Sequence, residues 1–243
     1  MLSKNNIDQQ LDLKALYGHY ARLEKSIYVN EQSTKTSYTS PVNFVESMQK
    51  PRHRWFPYKE GFSPSFVADF LTTSVSIKDG LILDPFSGSG TTALVAGEKG
   101  LLGLGLDVSP LTDFVARTKA VTMSAIEVNQ FKSFMADFSK SALDKRASNP
   151  ENETVIRYFE PDVLDALMRV KGYYLEVDNP KVQALFKLAF LAAVEPFSTH
   201  RKAGNGVKKK INYSSLGPSQ RSVPALKSFV LEKLEMFALD IEQ

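Results

Sequence analysis

The spacing of apolar and polar residues predicts that most of this chain is helical, with one short region of strands. Apolar periodicity and helix-start signals predict helices over 8–27, 63–74, 110–120, 125–145, 160–176, 181–198 and 223–242. The helix 181–198 is apolar on nearly every side, so we expect it to be buried. The terminal helix 223–242 carries an apolar stripe made of Leu226, Val230, Leu234, Phe237 and Ile241.

The apolar run 81–83 predicts a short buried strand, and 103–108 predicts a second strand. Between them lie a glycine-rich turn and the helical stretch ALVAGEKG at 93–100. A strand, a turn, a helix and a second strand in this order form a βαβ unit, which is how a doubly wound parallel sheet begins. We therefore predict an α/β fold with a Rossmann-like doubly wound sheet and a helical C-terminal region.

This pattern divides the chain into three regions. Residues 1–45 form an N-terminal helix and a polar linker, the linker being the Ser-, Thr- and Asn-rich stretch 29–43. Residues 46–125 form a core around the βαβ unit. Residues 126–243 are mostly helical and include a basic, glycine-containing loop at 200–221 before the terminal helix.

Composition narrows the possible classes of protein. Apolar residues make up 43% and charged residues 23%, as in ordinary globular proteins. The chain has no cysteine, which excludes disulfides, thiolate metal sites and a cysteine nucleophile, and its three histidines are too widely spaced to suggest a zinc site. The longest apolar run, 188–194, is far shorter than the ~20 residues that span a bilayer, and no signal peptide is visible. We therefore expect a cytoplasmic protein without membrane contact.

The turn after the first strand, DPFSGSGTT at 84–92, is the candidate ligand site. Gly88 and Gly90 allow a positive φ and a close approach of the backbone to a ligand. The turn joins the carboxyl end of a strand to the start of a helix, where α/β sheets bind ligands, and a nucleotide phosphate is one candidate. No Gly-Lys pair occurs, which excludes a Walker A loop. The dinucleotide fingerprint is excluded less firmly, because Ala93 stands where the third glycine would be.

Two carboxylates point to the kind of ligand. Asp107 lies 19 residues after Gly88 at the end of the second strand, where a carboxylate can accept hydrogen bonds from both ribose hydroxyls of a nucleoside. Asp84, at the end of the first strand, would repel a pyrophosphate but suits a cationic ligand that bears an amino group. S-adenosylmethionine combines a sulfonium, an ammonium, a ribose and an adenine, and therefore fits a site with an acid at both strand ends.

These segments resemble those of a known family, the DNA methyltransferases that modify exocyclic amino groups of adenine or cytosine. DPFSGSGTT at 84–92 resembles the cofactor motif of that family, and HRWFPYKEGFS at 53–63 resembles the motif beside the methionine end of the cofactor. DVSP at 107–110 resembles the segment that holds the ribose. The resemblance covers about residues 50–120. It implies the fold of S-adenosylmethionine-dependent methyltransferases, with S-adenosylmethionine as cofactor.

The cofactor-binding residues that this resemblance implies are Tyr58, Lys59, Phe62, Ser63, Asp84, Pro85, Phe86, Gly88, Gly90, Thr91, Thr92, Asp107, Val108 and Ser109. Trp55 and Phe56 are explained equally well by core packing. For His53 we favour a structural role.

The sequence departs from the family at its catalytic motif. Members carry Asp, Asn or Ser followed by Pro-Pro and an aromatic residue, which holds the flipped base and its amino group. This chain contains no Pro-Pro pair, and the partial matches at 195–197 and 40–42 lack the second proline. We assign no catalytic residue and hypothesise a split enzyme, in which a second methyltransferase subunit carries the catalytic motif and completes the sheet. The chain ends just after a helix where some relatives continue into that motif. The stripe of the terminal helix either docks this partner or packs on its own domain.

The basic segment after helix 181–198 is the candidate DNA contact. We predict that Arg201, Lys202, Lys208, Lys209 and Lys210 contact the phosphates of double-stranded DNA. The alternative is a solvated charged loop. The net charge of +3 and the pI near 8.9 tolerate a polyanionic partner without requiring one.

The leading hypothesis is an enzyme subunit that binds S-adenosylmethionine in a site-specific DNA methyltransferase of a restriction-modification system. Its target is an exocyclic amino group of adenine or cytosine, since methylation at carbon-5 of cytosine requires a cysteine nucleophile. One alternative is a non-catalytic DNA-binding or regulatory subunit that resembles a methyltransferase. Another is a complete methyltransferase with an unusual acceptor site.

Overall fold

A computed structural model describes residues 44–74, 80–203, 206–211 and 222–243. These residues all fall within a single compact unit. The predicted helix 8–27 and the predicted linker 29–43 lie outside the described residues.

The N-terminal part of the described chain contains the two parallel strands. Two short 3₁₀ helices, Phe44–Met48 and His53–Trp55, come first. They are followed by α1 (Pro64–Ser74), β1 (Leu81–Asp84), α2 (Thr91–Glu98), β2 (Leu102–Gly105) and α3 (Pro110–Lys119). Ser63 begins α1 as predicted, because its hydroxyl accepts a hydrogen bond from the Phe66 N–H at 3.1 Å.

Strands β1 and β2 pair in parallel, with Leu81 opposite Leu102 and Asp84 opposite Gly105. On one face of this two-stranded sheet, Ile82 packs with α1 and α2 around Val67 and Val95. The predicted α/β class and the βαβ unit are therefore confirmed. The described residues contain only these two parallel strands, so they do not form a full doubly wound sheet.

The C-terminal part is built mainly from helices. These are α4 (Ala125–Lys140), α5 (Glu153–Ile156), α6 (Pro161–Leu175), α7 (Pro180–Phe197) and α8 (Val223–Ile241), with a hairpin of β3 (His200–Ala203) and β4 (Gly206–Lys209) between the last two. Ser124 and Glu127 form a capping box at the start of α4. Asn179 caps α7 in front of Pro180, which lacks the N–H that a first helical residue leaves unpaired.

Most of the predicted helices agree with the structure to within a few residues, and α7 is buried as predicted. Its fully buried residues include Val182, Leu185, Phe186, Leu188 and Ala189. The segment 200–221 was predicted as a loop. Within its described residues it instead forms the β3–β4 hairpin, a difference that arises because the two strands, HRKA and GVKK, are mostly charged and carry no apolar alternation. None of the described helices is long and apolar enough to cross a membrane.

The apolar stripe of α8 packs inside its own domain. Leu226, Val230, Leu234 and Phe237 are fully buried and belong to the main core, where α8 packs against α4, α6 and α7. Of the two roles left open by the sequence, the structure supports internal packing. This stripe is not a docking surface for a partner.

A buried carboxylate, Asp240 of α8, fixes the chain just upstream of the candidate site. It accepts hydrogen bonds from the backbone N–H of Arg52 at 2.9 Å, from Trp55 Nε1 at 2.8 Å and from two guanidinium nitrogens of Arg54. Arg52 adopts a left-handed φ of 59°, and its guanidinium donates to the carbonyls of Lys119 and Val121 at the end of α3. The Arg52–Trp55 turn therefore ties α3 and α8 together.

Next to this turn the core holds a lysine and a histidine. Lys119 is 2% exposed, its Nζ lies 3.5 Å from the Phe56 carbonyl, and burial lowers its pKa to about 7. His53 is also 2% exposed, and burial, followed by the charge of Lys119, lowers its pKa to about 4. Burial therefore disfavours the charged form of both groups in the folded protein.

Replacing Lys119 by methionine is expected to stabilise the protein by about 1–4 kcal/mol at pH 7. The unfolded chain binds more protons than the folded chain between about pH 7 and pH 10, so wild-type stability rises with pH across this window. The advantage of Lys119→Met should therefore shrink toward pH 10. Urea unfolding at pH 6, 8 and 10 measures this, with Lys140→Met as the exposed control. A destabilised Lys119→Met variant at pH 7 would contradict the prediction.

Candidate functional site

The candidate site lies where β1 and β2 end. Backbone hydrogen bonds continue the ladder past both strands: Leu106 N–H donates to the Asp84 carbonyl and Ser87 N–H donates to the Leu106 carbonyl, each at 2.9 Å. Gly90 N–H then donates to the Ser87 carbonyl at 2.9 Å and closes the turn before α2. The glycine-rich turn is therefore held against the end of β2 by backbone contacts.

Asp84, the last residue of β1, is oriented by two hydrogen bonds. One carboxylate oxygen accepts from the Phe86 N–H at 3.0 Å, and the other accepts from Thr92 Oγ1 at 2.6 Å. The carboxylate thus links the glycine-rich turn to the first helical turn of α2. Since each carboxylate oxygen can accept more than one hydrogen bond, Asp84 can still accept a hydrogen bond from an ammonium or a hydroxyl of a ligand.

Asp107, two residues after β2, is held more firmly. One of its carboxylate oxygens accepts from Gly88 N–H at 2.8 Å, and the other accepts from Ser109 N–H at 2.8 Å and Thr112 Oγ1 at 2.7 Å. These hydrogen bonds lower the pKa of Asp107, with the Ser109 N–H as the largest cause. The site therefore contains an ionised carboxylate whose position is set by the turn on one side and by α3 on the other.

The two glycines of the turn are required by their surroundings. Gly88 has φ of 50°, and a Cβ there would lie 2.7 Å from Tyr58 Cε1. Gly90 has φ of 85°, and a Cβ there would lie 2.8 Å from the Cβ of Ala116 on α3. The left-handed backbone and this close packing both exclude larger residues, so the turn forms a cradle with the Tyr58 ring against it.

The structure places half of the predicted cofactor residues around this turn. Thr92 contacts Asp84, Gly88 and Ser109 contact Asp107, and Tyr58 packs on Gly88. Gly90 closes the same turn. Thr91 is buried at the start of α2, and Ser63 is occupied in capping α1. Phe62 is 47% exposed and packs beside Phe66 at 5.7 Å between ring centroids.

Three predicted residues on the outer side of the site face solvent. Pro85 is exposed, Phe86 is 88% exposed and Val108 is fully exposed. They lie in the segments that follow β1 and β2. This edge of the site is therefore exposed and partly apolar, so an apolar part of a ligand or of a partner can pack against it.

Lys59 lies at a cavity of about 320 Å³. This cavity is lined by Phe56, Pro57, Lys59, Leu191, Ala192, Glu195, Pro196, Arg201 and Lys210. None of these residues belongs to the segments that carry Asp84 and Asp107, so the structure does not place Lys59 with that pair of carboxylates. Trp55, in contrast, is fully buried and stacks on Phe237 at 4.6 Å, which supports core packing for that residue.

The predicted DNA contacts lie on the hairpin, but they do not all present free cations. Arg201 lies directly opposite Lys208 in the antiparallel register, and both are exposed. Lys202 is paired with Glu60, and Lys210 Nζ donates to the carbonyls of Glu195, Pro196 and Ser198 at 2.6–2.9 Å. The ammonium of Lys210 therefore caps the end of α7, which corrects the prediction of a freely mobile basic loop.

The opposition of Arg201 and Lys208 is unfavourable without a counterion, because like charges directly opposite in a ladder repel. Lys209 on β4 is exposed as well. A phosphate between these side chains would remove the repulsion. Arg201, Lys208 and Lys209 are thus the cations of the hairpin best suited to an anionic ligand.

Sequence reasoning missed several residues that build the site. Thr112 orients Asp107, Ala116 sets the space beside Gly90, and Glu60 pairs with Lys202. The position of Thr112 three residues after the helix-capping Ser109 was a readable signal, since both face the same end of α3. The contacts of Ala116 and Glu60 depend on tertiary packing and carry no such signal.

The fold and the site together define an α/β protein with a ligand site at the carboxyl ends of two parallel strands. Residues 3–110 match the family of N6/N4 DNA methylases. The predicted resemblance to DNA amino-methyltransferases is thereby confirmed.

Individual relatives support the same class. The Type II methyltransferase M.BsoBI of Geobacillus stearothermophilus is 32% identical over 99 residues, covering 41% of this chain and 19% of that protein. M.AvaI of Nostoc sp. (strain PCC 7120) is 24% identical over 166 residues, covering 67% of this chain and 34% of that protein. M.MjaII of Methanocaldococcus jannaschii is 30% identical over 113 residues, covering 44% and 21%. This chain thus spans between about a fifth and a third of the length of these relatives, and no solved structure matches it significantly.

Proposed function

We propose that this chain is the S-adenosylmethionine-binding subunit of a DNA methyltransferase that methylates an exocyclic amino group of adenine or cytosine. The observation that carries the proposal is the pair of carboxylates, Asp84 and Asp107, at the ends of adjacent parallel strands around the Gly88–Gly90 turn. The match of residues 3–110 to DNA methylases supports the same activity.

The donors and acceptors of the site fit this cofactor. In the proposal, Asp107 accepts hydrogen bonds from the ribose hydroxyls, and its three internal donors keep the carboxylate ionised and fixed. Asp84 provides negative charge for the ammonium of the methionine moiety, and Thr92 keeps it in place. Gly88 and Gly90 let the backbone approach the ligand, and the Tyr58 ring forms one wall.

Bound S-adenosylmethionine supplies a methyl group on a sulfonium. Transfer to an amino group needs no covalent intermediate, only alignment of the amine with that methyl group and an acceptor for its proton. The residues of this chain bind and orient the cofactor. We propose that the element that holds the acceptor amine, the Pro-Pro-aromatic motif, is on a second chain, because this sequence has no Pro-Pro pair.

The proposal is tested by calorimetric titration of S-adenosylmethionine into the full chain, together with a methyl-transfer assay on DNA. We expect binding without transfer by the chain alone, and transfer once the second chain is added. Turnover by the chain alone would overturn the split arrangement. Transfer by the complex that survives Asp107→Ala would favour the alternative, a regulatory subunit that only resembles a methyltransferase.

The proposed DNA contact predicts a salt-dependent effect. The double variant Arg201→Ala/Lys208→Ala is expected to weaken binding of the complex to duplex DNA about tenfold at low salt. It should also reduce the slope of log K against log salt by about two, because two phosphate contacts are lost. Fluorescence anisotropy with a labelled duplex at several salt concentrations measures both. The charge-matched variant Lys140→Ala/Lys145→Ala should leave the slope unchanged, and equal slopes in all three proteins would contradict the assignment.

A further inference from the structure

One face of the β1–β2 sheet is an uncovered surface of leucines. We define the leucine face as Leu81, Leu83, Leu102, Leu104 and Leu106, which are 55%, 54%, 69%, 46% and 53% exposed. Leu81 is paired with Leu102 and Leu83 with Leu104, so these side chains stand side by side on the same face of the sheet. Leu106 continues the alternation past the end of β2.

A parallel sheet with a bare apolar face is unusual, because parallel sheets are normally covered by helices on both sides. Here α1 and α2 cover only the opposite face, through Ile82 and Leu101. Among the described residues, no strand pairs with the outer edge of β1 or of β2. Within the described part of the chain, the sheet therefore has neither a layer over its leucines nor a neighbouring strand.

The leucine face is continuous with the border of the candidate cofactor site. Phe86 follows β1 and is 88% exposed, and Val108 follows Leu106 and is fully exposed. A polypeptide that covers the leucines therefore also lies next to the segments that carry Asp84 and Asp107. A chain that covers the leucine face can therefore also cover Phe86 and Val108 beside the cofactor site.

We infer that the leucine face is the docking surface for the second methyltransferase chain, which adds parallel strands at a free edge and covers the leucines with an apolar helix. This inference rests on the proposed function. M.BsoBI and M.AvaI are about five and three times as long as the segments that match this chain, so each of these relatives contains much polypeptide outside the matched part.

A second copy of this chain fits the surface less well. Two copies stacked through their leucine faces would leave all the strand edges unpaired, and two copies joined edge to edge would leave the leucines in water. A polypeptide that supplies both a strand and a helix can pair with the backbone of the strand edge and also cover the leucines. Standard interfaces bury about 800 Å² on each partner, which requires contact beyond the leucines, over Phe86 and Val108.

The first experiment uses the full chain alone. Light scattering should find a monomer, and 8-anilinonaphthalene-1-sulfonate should bind with a fluorescence several-fold higher than in the variant Leu83→Asp/Leu104→Asp. Leu175→Asp is the matched control, since Leu175 is 53% exposed on α6. A dimer that Leu83→Asp/Leu104→Asp dissociates would overturn the inference in favour of a second copy. Dye fluorescence equal in all three proteins would overturn it as well, because the face is then already covered.

The second experiment uses the polypeptide from the same genome that carries the Pro-Pro-aromatic motif, co-expressed with the full chain. Hydrogen exchange should show protection of 81–84 and 102–106 on complex formation. The affinity of the two chains should fall at least tenfold in Leu83→Asp/Leu104→Asp and remain unchanged in Leu175→Asp. Absence of a complex with any polypeptide of this kind, or a complex that leaves these strands unprotected, would overturn the inference.

The outcomes separate the docking surface from the proposed activity. A complex that protects the strands but binds no S-adenosylmethionine and transfers no methyl group would overturn the proposed function and support the docking surface. If the Leu83→Asp/Leu104→Asp variant still forms the complex and this complex transfers methyl groups, the proposed function is supported and the docking surface is overturned. If the second chain also covers Phe86 and Val108 beside the cofactor site, the complex should bind S-adenosylmethionine more tightly than the chain alone, and the cofactor should strengthen assembly by the same factor.

Discussion

Replacing Asp240 by alanine is expected to lower the melting temperature by about 6–20 °C. The side chain of Asp240 is fully buried and accepts hydrogen bonds from Arg52, Arg54 and Trp55. Breaking a buried ion pair costs about 3–5 kcal/mol. Because Arg54 is 30% exposed, the cost here comes mainly from the Trp55 Nε1–H and the Arg52 N–H, which lose their acceptor. In a protein of this size each kcal/mol shifts the melting temperature by about 2–4 °C. Differential scanning calorimetry measures the shift.

A neighbouring carboxylate provides the control. Glu242, two residues further along the chain, forms an ion pair with Lys132, and both side chains are about half exposed. Because exposed pairs contribute less than about 1 kcal/mol, Glu242→Ala should change the melting temperature by only a few degrees. A shift in Asp240→Ala as small as that of Glu242→Ala would show that the four donors find other acceptors.

The same substitution connects stability to the candidate site. The Arg52–Trp55 turn leads directly into the segment that carries Tyr58, whose ring packs on Gly88. Loss of Asp240 should therefore loosen the Tyr58 wall of the cradle at temperatures below unfolding. Hydrogen exchange of residues 53–63 should rise in Asp240→Ala while exchange of α2 stays unchanged.

The features that the sequence predicted are those with a local cause. The Gly88–Gly90 turn, the capping of α1 by Ser63 and the burial of α7 all follow from residues close together in the chain. Helix boundaries agree because Pro110, Pro161 and Pro180 each mark a helix start. The resemblance to DNA amino-methyltransferases rested on contiguous motifs for the same reason.

The features that the sequence did not predict depend on distant contacts. Asp240 lies 188 residues from Arg52, and nothing in its helical pattern distinguishes it from a solvated acid. The prediction that strand 81–83 is buried was wrong, because Leu81 and Leu83 are about half exposed. An apolar run predicts a surface that is to be covered, but it does not identify the polypeptide that covers it. Likewise, the hairpin 200–209 forms although its sequence is mostly charged.

Replacing Asp107 by alanine is expected to lower the affinity for S-adenosylmethionine by at least about 100-fold. In the proposed function this carboxylate binds the ribose. It also accepts hydrogen bonds from Gly88 N–H, Ser109 N–H and the Thr112 hydroxyl. The substitution removes the ribose acceptor and releases the turn from α3, so two effects add. Thr112→Val removes only one donor and should weaken binding about 3- to 10-fold. Calorimetric titration compares the three proteins.

The pH dependence of binding identifies the group responsible. Hydrogen bonds from Ser109, Thr112 and Gly88 lower the pKa of Asp107, so its charge is fully present above the ordinary aspartate value near 3.9 and is lost only as the pH falls through the lowered pKa. Affinity should therefore stay constant from pH 7 to pH 5, where the α-amino group of the cofactor also keeps its charge. Asp113→Ala, which removes an exposed carboxylate paired with Arg117 on the same helix, should bind like the wild type. Loss of affinity with a midpoint near pH 6, or equal effects of Asp107→Ala and Asp113→Ala, would mean that another group holds the cofactor.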